Sequence, residues 1–260
     1  MRNTFDRFNG RHQDYQAARP SYAQEFLDWL GELYAPPERY TAADIGSGTG
    51  KLSAQLLAAG FRVCGVEPNP DMRGAAEALL GGDPRFSSSN GTDHDTGLPD
   101  RSVDMVAAAQ AFHWFDGPAF ARECRRILRP GGRAVLVWNV RGSAPMNQAL
   151  AQVFREHCPS FHGFTAGWGD DPASGVFSAG AYEKRRFPNP LTLDRDRFLR
   201  RCFSSSYALR EGDADYEAFR AALEALFDTF ASGGQLIQPN ETVGLCGDPR
   251  RSPGMRHFQN

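Results

Sequence analysis

Asp44-Ile45-Gly46-Ser47-Gly48-Thr49-Gly50 is the stretch of this chain whose residue types and spacing point most directly to chemistry. Glycine at 46, 48 and 50 removes every other Cβ, so the backbone can turn sharply there and come close to a ligand. A G-x-G-x-x-G loop favours a dinucleotide, whose pyrophosphate sits on the N-terminus of the following helix. Here the spacing is G-x-G-x-G, and a carboxylate stands two residues before the first glycine. Asp44 would repel a pyrophosphate and attract an ammonium. S-adenosylmethionine carries an α-ammonium, a carboxylate and a sulfonium and no phosphate, which makes it the ligand this loop predicts.

Three further groups follow in order. Glu67 ends the segment Val63-Cys64-Gly65-Val66-Glu67, 21 residues after Gly46. A carboxylate there can accept both ribose hydroxyls, a device shared by nicotinamide and adenosylmethionine enzymes, so it supports adenosine without choosing between them. Asn90-Gly91-Thr92-Asp93-His94 forms a polar loop placed over the adenine edge, where Thr92, Asp93, His94 or the Asp93 backbone N–H can bond the base. Ala109-Gln110-Ala111-Phe112-His113-Trp114-Phe115-Asp116 offers Gln110 and His113 as polar members, with Phe112 and Trp114 as walls. His113 is the first candidate for a general base, with His12 a distant second; its alternative role is a histidine bonded to backbone.

The elements that must hold these residues alternate along the chain. Short apolar strands are predicted at Thr41–Ile45, Phe61–Glu67, Arg85–Ser89, Val103–Ala109 and Ala134–Trp138. Helices lie between them at Lys51–Ala59, Asp71–Leu80 and Phe115–Leu128, the last ended by Pro130-Gly131-Gly132. Ser21 is the expected N-cap of an earlier helix carrying Phe26, Leu27, Leu30 and Leu33. Such alternation gives a parallel sheet covered on both faces and doubly wound, with its ligand at the carboxyl ends of the strands near the switch point. After Arg141 the rhythm breaks. Residues 142–180 mix helix and loop, Tyr182–Leu193 is a strand pair or one bent strand, Asp194–Ser206 and Asp213–Phe230 are helical, and Glu241–Cys246 is a last strand. The organisation expected is an N-terminal lid and helix over 1–38, a ligand-binding core over 39–140, a substrate-binding insertion and last strands over 141–248, and a flexible tail over 249–260.

Composition narrows the class. At 260 residues, 41% hydrophobic and 23% charged, the chain fits one large α/β domain. Twenty-nine basic residues against 31 acidic ones leave a net charge of -2, which predicts no nucleic-acid partner. The arginines at 122, 125, 126 and 129 are read as a solvated helix face, and Arg200 and Arg201 likewise, although the latter pair also suits an acidic substrate. Five separated cysteines without a C-x-x-C pair predict reduced thiols, no metal site and a cytoplasmic setting. The polar N-terminal stretch is not expected to be a signal peptide, and no apolar run is long enough to span a membrane.

With Gly97-Leu98-Pro99-Asp100-Arg101-Ser102-Val103-Asp104 and Leu128-Arg129-Pro130-Gly131-Gly132 added to the segments above, residues 40–140 resemble the class I S-adenosylmethionine-dependent methyltransferases of the methyltransferase type 11 group. Within that group the chain is most similar to the trans-aconitate methyltransferase-like branch. The resemblance implies a Rossmann-like seven-stranded sheet, mostly parallel with an antiparallel last strand, and a small helical insertion for substrate. It implies that Asp44, Gly46, Ser47 and Gly48 hold the methionine end, Glu67 the ribose, Asn69 and Met72 the adenosine, and Thr92 and Asp93 the adenine. Gln110 would border the methionine portion, while Tyr15 and Arg19 close over the cofactor. Similar proteins often carry Ala-Glu where this chain has Asp93-His94. The expected reaction is in-line displacement of the sulfonium methyl by a small-molecule acceptor, releasing S-adenosylhomocysteine. The acceptor is expected beneath residues 142–240, where Phe161, Phe164, Trp168, Phe203 and Tyr207 lie. A NAD(P)-dependent oxidoreductase and a non-catalytic adenosylmethionine-binding protein are the alternatives.

Overall fold

Apolar runs without polar alternation become the central strands, because strands covered on both faces have no solvated side. The computed structural model describes residues 20–164, 173, 175–178, 181–205 and 207–250. β1 (Thr41–Ile45), β2 (Arg62–Val66), β3 (Phe86–Ser89), β4 (Val103–Ala109) and β5 (Leu128–Val140) run parallel, and successive side chains point to opposite faces. Ala42, Val63, Met105 and Val135 therefore meet one hydrophobic layer, and Ala43, Cys64, Val106 and Leu136 the other. The first layer is closed by α1 (Gln24–Leu33), through Phe26, Trp29 and Leu30, and by α2 (Lys51–Ala58), through Leu52, Leu56 and Leu57. The second is closed by α4 (Gly117–Ile127), through Phe120, Cys124 and Ile127. α3 (Pro70–Leu80) follows β2, and the side chain of Asn69 caps it by accepting from the Asp71 and Met72 N–H groups.

The sheet is completed by β6 (Tyr182–Pro188) and β9 (Glu241–Gly247), giving the order β3-β2-β1-β4-β5-β9-β6. β9 runs antiparallel to both of its neighbours, so the expected antiparallel last strand is present, inserted next to the edge. Strand order reverses between β1 and β4, and that switch point lies at Ile45 and Ala109. The segment between β5 and β9 builds a cap with its own core: α5 (Pro145–His157), α6 (Arg195–Phe203), α7 (Tyr216–Phe230) and a small hairpin of β7 (Leu191–Leu193) with β8 (Leu236–Gln238). Phe154, Phe198, Phe219 and Leu223 are its fully buried centre.

Local expectations meet tertiary competition in several places. The N-cap of α1 is Ala23, not Ser21; the Ser21 carbonyl accepts from the amides of Asn139 and Asn189, which tie it to the sheet instead. β5 begins at Leu128, ahead of Pro130-Gly131-Gly132. Val103 pairs with Leu128 while Met105 already pairs with Arg133, so the glycines form an irregularity within the ladder. Tyr182–Leu193 divides into strands of two separate sheets. The arginines around α4 are not all solvated. Arg126 grips buried Glu123 and reaches Asp100 at 2.7 Å, Arg129 pairs with Asp104 at 2.7 Å, and Arg125 donates to the Pro249 carbonyl. The Asp104 carboxylate also accepts the Thr41 N–H at 2.8 Å, which fixes the start of β1 against β4. In the expected tail, Arg250 donates to the Arg129 and Gly132 carbonyls; residues 251–260 lie outside the described part. Among the described residues no helix is long and apolar enough to cross a membrane.

Candidate active site

The loop after β1 is folded back across the end of β2, where the Gly46 and Ser47 N–H groups both donate to the Val66 carbonyl. Its three glycines all have positive φ but serve different ends. A Cβ at Gly46 would stand 2.8 Å from Ala111 Cβ and 3.2 Å from Phe115 Cζ. One at Gly50 would meet Leu80 at 2.8 Å, so that glycine lets α3 pack on the loop. A Cβ at Gly48 would make only an ordinary contact, 3.9 Å from Met72 Sδ. Gly46→Ala is therefore expected to cost about 2 kcal/mol of stability, from left-handed strain plus overpacking. Gly48→Ala carries the strain alone and should cost less in the same urea titration; equal losses would contradict this division of roles.

A cleft of about 220 Å³ opens above the loop, between the carboxyl ends of β1, β2 and β4. Asp44 and Glu67 both line it. Asp44 is fully buried. Its Oδ2 accepts the Ser53 hydroxyl at 2.7 Å, while Oδ1 has no hydrogen-bond partner among the described residues. Burial pushes this carboxyl up to about 6, the Ser53 bonds pull it back, and the nearby Glu67 charge adds to the rise. Glu67 accepts the Asn69 N–H at 2.8 Å and the Gly48 N–H at 2.9 Å, one on each oxygen. Burial raises its carboxyl too, offset in part by those two donors and by Arg73. Each carboxylate oxygen keeps a second lone-pair direction for a ligand. Gln110, at the end of β4, is a non-glycine residue at φ 55°, and its amide is fixed by the Asn139 carbonyl at 3.1 Å. Strain of that kind persists where the surroundings hold it, often beside a ligand site.

Residues 43–136, which contain Asp44, the three glycines, Glu67 and Gln110, match the family described as "Methyltransferase domain". Over that stretch, about a third of its length, the chain is similar to methyltransferases. It is 42% identical over 127 residues to an uncharacterized methyltransferase of Mycobacterium tuberculosis, an alignment that spans about half the length of each protein, 49% of both. An uncharacterized methyltransferase-like protein of Schizosaccharomyces pombe is 28% identical over 90% of this chain and 89% of its own. Among solved structures, a candidate type II methyltransferase from Anaeromyxobacter dehalogenans superposes with a TM-score of 0.68 at 24% identity, covering 89% of this chain and 98% of that one, a likeness of fold.

The predicted site residues divide. Asp44, Gly46, Ser47, Gly48 and Glu67 come together on the cleft wall, joined by Asn69, Met72, Asp93 and Gln110. Asp93 is held there because its carboxylate accepts the Asp116 N–H at 3.2 Å and bonds the His94 ring at 3.0 Å. Thr92 does not line the cleft. Its N–H goes to the Asp95 carbonyl and its hydroxyl accepts the Asp95 N–H, so both are spent inside the loop. His94 is exposed. His113, the candidate base, is exposed on a short 3₁₀ turn, with its ring 4.8 Å from that of Trp114, and does not line the cleft. Phe112 is packed into the core, whereas Trp114 stands at the cleft, half exposed at 50%. His12, Tyr15, Arg19 and Trp168 lie outside the described residues. Sequence reasoning missed Pro20, Tyr22, Lys51 and Phe115 as cleft residues. Lys51 and Phe115 adjoin recognised motifs, so their positions were legible. Pro20 and Tyr22 arrive only because α1 docks on the sheet, where the Ala23 N–H donates to Thr242 Oγ1 at 2.9 Å.

Proposed function

We infer that this chain transfers the methyl group of S-adenosylmethionine to a small-molecule acceptor and releases S-adenosylhomocysteine. Asp44 carries the reading. A buried carboxylate with one oxygen unpartnered, at the floor of a glycine-lined cleft, suits a cationic ligand and opposes a diphosphate. The cleft residues fit that cofactor. Glu67 would take the ribose hydroxyls, Asn69 and Met72 the adenosine, Asp93 the adenine, and Asp44 with Gln110 the methionine end. When bound, S-adenosylmethionine supplies a methyl group on a sulfonium, already an excellent leaving group. What remains for the chain is to align the partners and exclude water, and such positioning is worth roughly 7–11 kcal/mol in favourable cases. Gln110, locked by Asn139, and the Gly46–Phe115 contact supply that rigidity; Trp114 forms part of the rim.

No proton transfer in this reading depends on His113. His113→Ala is expected to leave kcat within about threefold, since a strong general base contributes 10²-fold or more. A hundredfold loss with unchanged cofactor affinity would restore it as the base. The five cysteines are all buried and unpaired, which suits a reducing compartment such as the cytoplasm. Equilibrium dialysis with labelled S-adenosylmethionine and labelled NAD tests the reading against the oxidoreductase alternative: retention of NAD in place of the former would overturn it. Release of S-adenosylhomocysteine across an acceptor panel separates an enzyme from a binding protein.

A further inference from the structure

At the carboxyl end of β5 the chain leaves the sheet through Arg141. The last pair of the β5–β9 ladder is Val140 with Glu241, and Arg141 and Asn240 are the next residues out along the two strands. Both residues are left incomplete. The Arg141 Nε is buried and has no hydrogen-bond partner among the described residues, and no carboxylate there pairs with its guanidinium. What holds the group is the face of Phe164, 4.1 Å from ring centroid to Cζ. Asn240 is only 4% exposed, and neither its amide nitrogen nor its amide oxygen has a partner among the described residues. A buried amide with both ends unmade is uncommon and calls for an explanation.

The neighbouring buried amides of Asn147 and Gln238 are bonded. Asn147 of α5 donates to the Gly142 carbonyl at 3.0 Å and the Pro239 carbonyl at 2.8 Å, the residues adjoining Arg141 and Asn240. Gln238, fully buried, donates to Asn147 at 3.3 Å and accepts from Arg201 Nε at 3.0 Å. The network thus clamps the flanking backbone and stops short at Arg141 and Asn240. Arg201 belongs to this frame, whereas its neighbour Arg200 is exposed. A planar guanidinium held from one face presents its fork edgewise, the geometry that takes a carboxylate on two parallel N–H bonds.

We propose that Arg141 and Asn240 form a carboxylate-binding subsite for the methyl acceptor, at the seam between the sheet and the cap. The proposal rests on the methyl-transfer reading for the word acceptor, but the anion site itself does not. Succinate serves as the probe, with the neutral succinamide as its control, titrated by calorimetry at constant chloride and in the presence of S-adenosylhomocysteine. Succinate is expected to bind saturably and succinamide not to bind. Arg141→Met should weaken succinate at least tenfold and Arg141→Lys partly rescue it, while S-adenosylhomocysteine affinity stays within twofold. Asn240→Asp, which places a negative charge in the subsite, should abolish succinate binding by a separate route. An inorganic phosphate arm that bound more tightly than succinate would overturn the choice of carboxylate. Succinate binding no better than succinamide, or unchanged in Arg141→Met, would mean that buried water alone completes these groups and would overturn the subsite. Failure of the methyl-transfer reading shows separately, as absence of S-adenosylhomocysteine binding with the succinate titration intact.

Discussion

Asp44→Asn is expected to make the cofactor-free protein more stable and the cofactor about a hundredfold weaker. The folded chain holds the Asp44 proton up to about 6, against 3.8 for an ordinary aspartate. Between those two values the folded state binds more protons than the unfolded one, so stability falls as pH rises through the window. Above about 6 the whole cost is present. At roughly 1.4 kcal/mol per pKa unit its upper bound is about 3 kcal/mol. Asparagine keeps an oxygen for the Ser53 hydroxyl and removes the charge. The melting temperature of the Asp44→Asn protein should therefore exceed that of the wild type by a few degrees at neutral pH. The gap should close in acid below the window. The affinity loss follows from removing a charged hydrogen bond worth about 1.5–3 kcal/mol. For the wild type, S-adenosylmethionine affinity should rise with pH through about 6 and then level off. Thermal melts and calorimetric titrations across that range measure both effects, and a lower neutral-pH melting temperature for Asp44→Asn would refute the account.

Glu67→Ala should move stability the other way. Its two oxygens satisfy the Gly48 and Asn69 N–H groups, which shape the glycine loop and the start of α3. Truncation strands both donors in a largely buried place, at about 1–3 kcal/mol each, and forfeits the ribose contact as well. A loss of about 2–4 kcal/mol by denaturant titration is expected, together with at least tenfold weaker cofactor binding. Glu67→Gln should fall between, because an amide can accept on one side only. Two neighbouring carboxylates on one cleft are thus predicted to have opposite signs in stability and the same sign in binding. Wild-type stability in Glu67→Ala would show that the loop does not depend on it.

Much of this was local and therefore legible. Asp44, the three glycines and Glu67 sit at strand ends set by short apolar runs, and a strand end followed by glycine needs no distant partner to be recognised. Thr92 stands off the cleft lining for the same local reason, since a polar loop residue has donors and acceptors to spend and here it spends them on Asp95. The arginines of α4 looked like a solvated face because their acids are remote in sequence, Asp100 lying 26 residues from Arg126 and Asp104 25 from Arg129. Asp104 and the glycines after Leu128, which belong to recognisable motifs, prove to brace the sheet and do not line the cleft.

By itself the amino-acid order determined the alternation of strand and helix, the bend after the first strand and the two acids that flank it, because propensity, pattern and glycine freedom act over a few residues. The tertiary structure alone decided which polar groups end with partners. Ser21 lost its capping role to Asn139 and Asn189, Tyr22 was carried to the cleft by α1, and Arg141 and Asn240 came to the ends of paired strands a hundred residues apart with their bonds unmade. Such outcomes depend on long-range register and on burial, which set the cost of a missing hydrogen bond and which no short window of sequence contains.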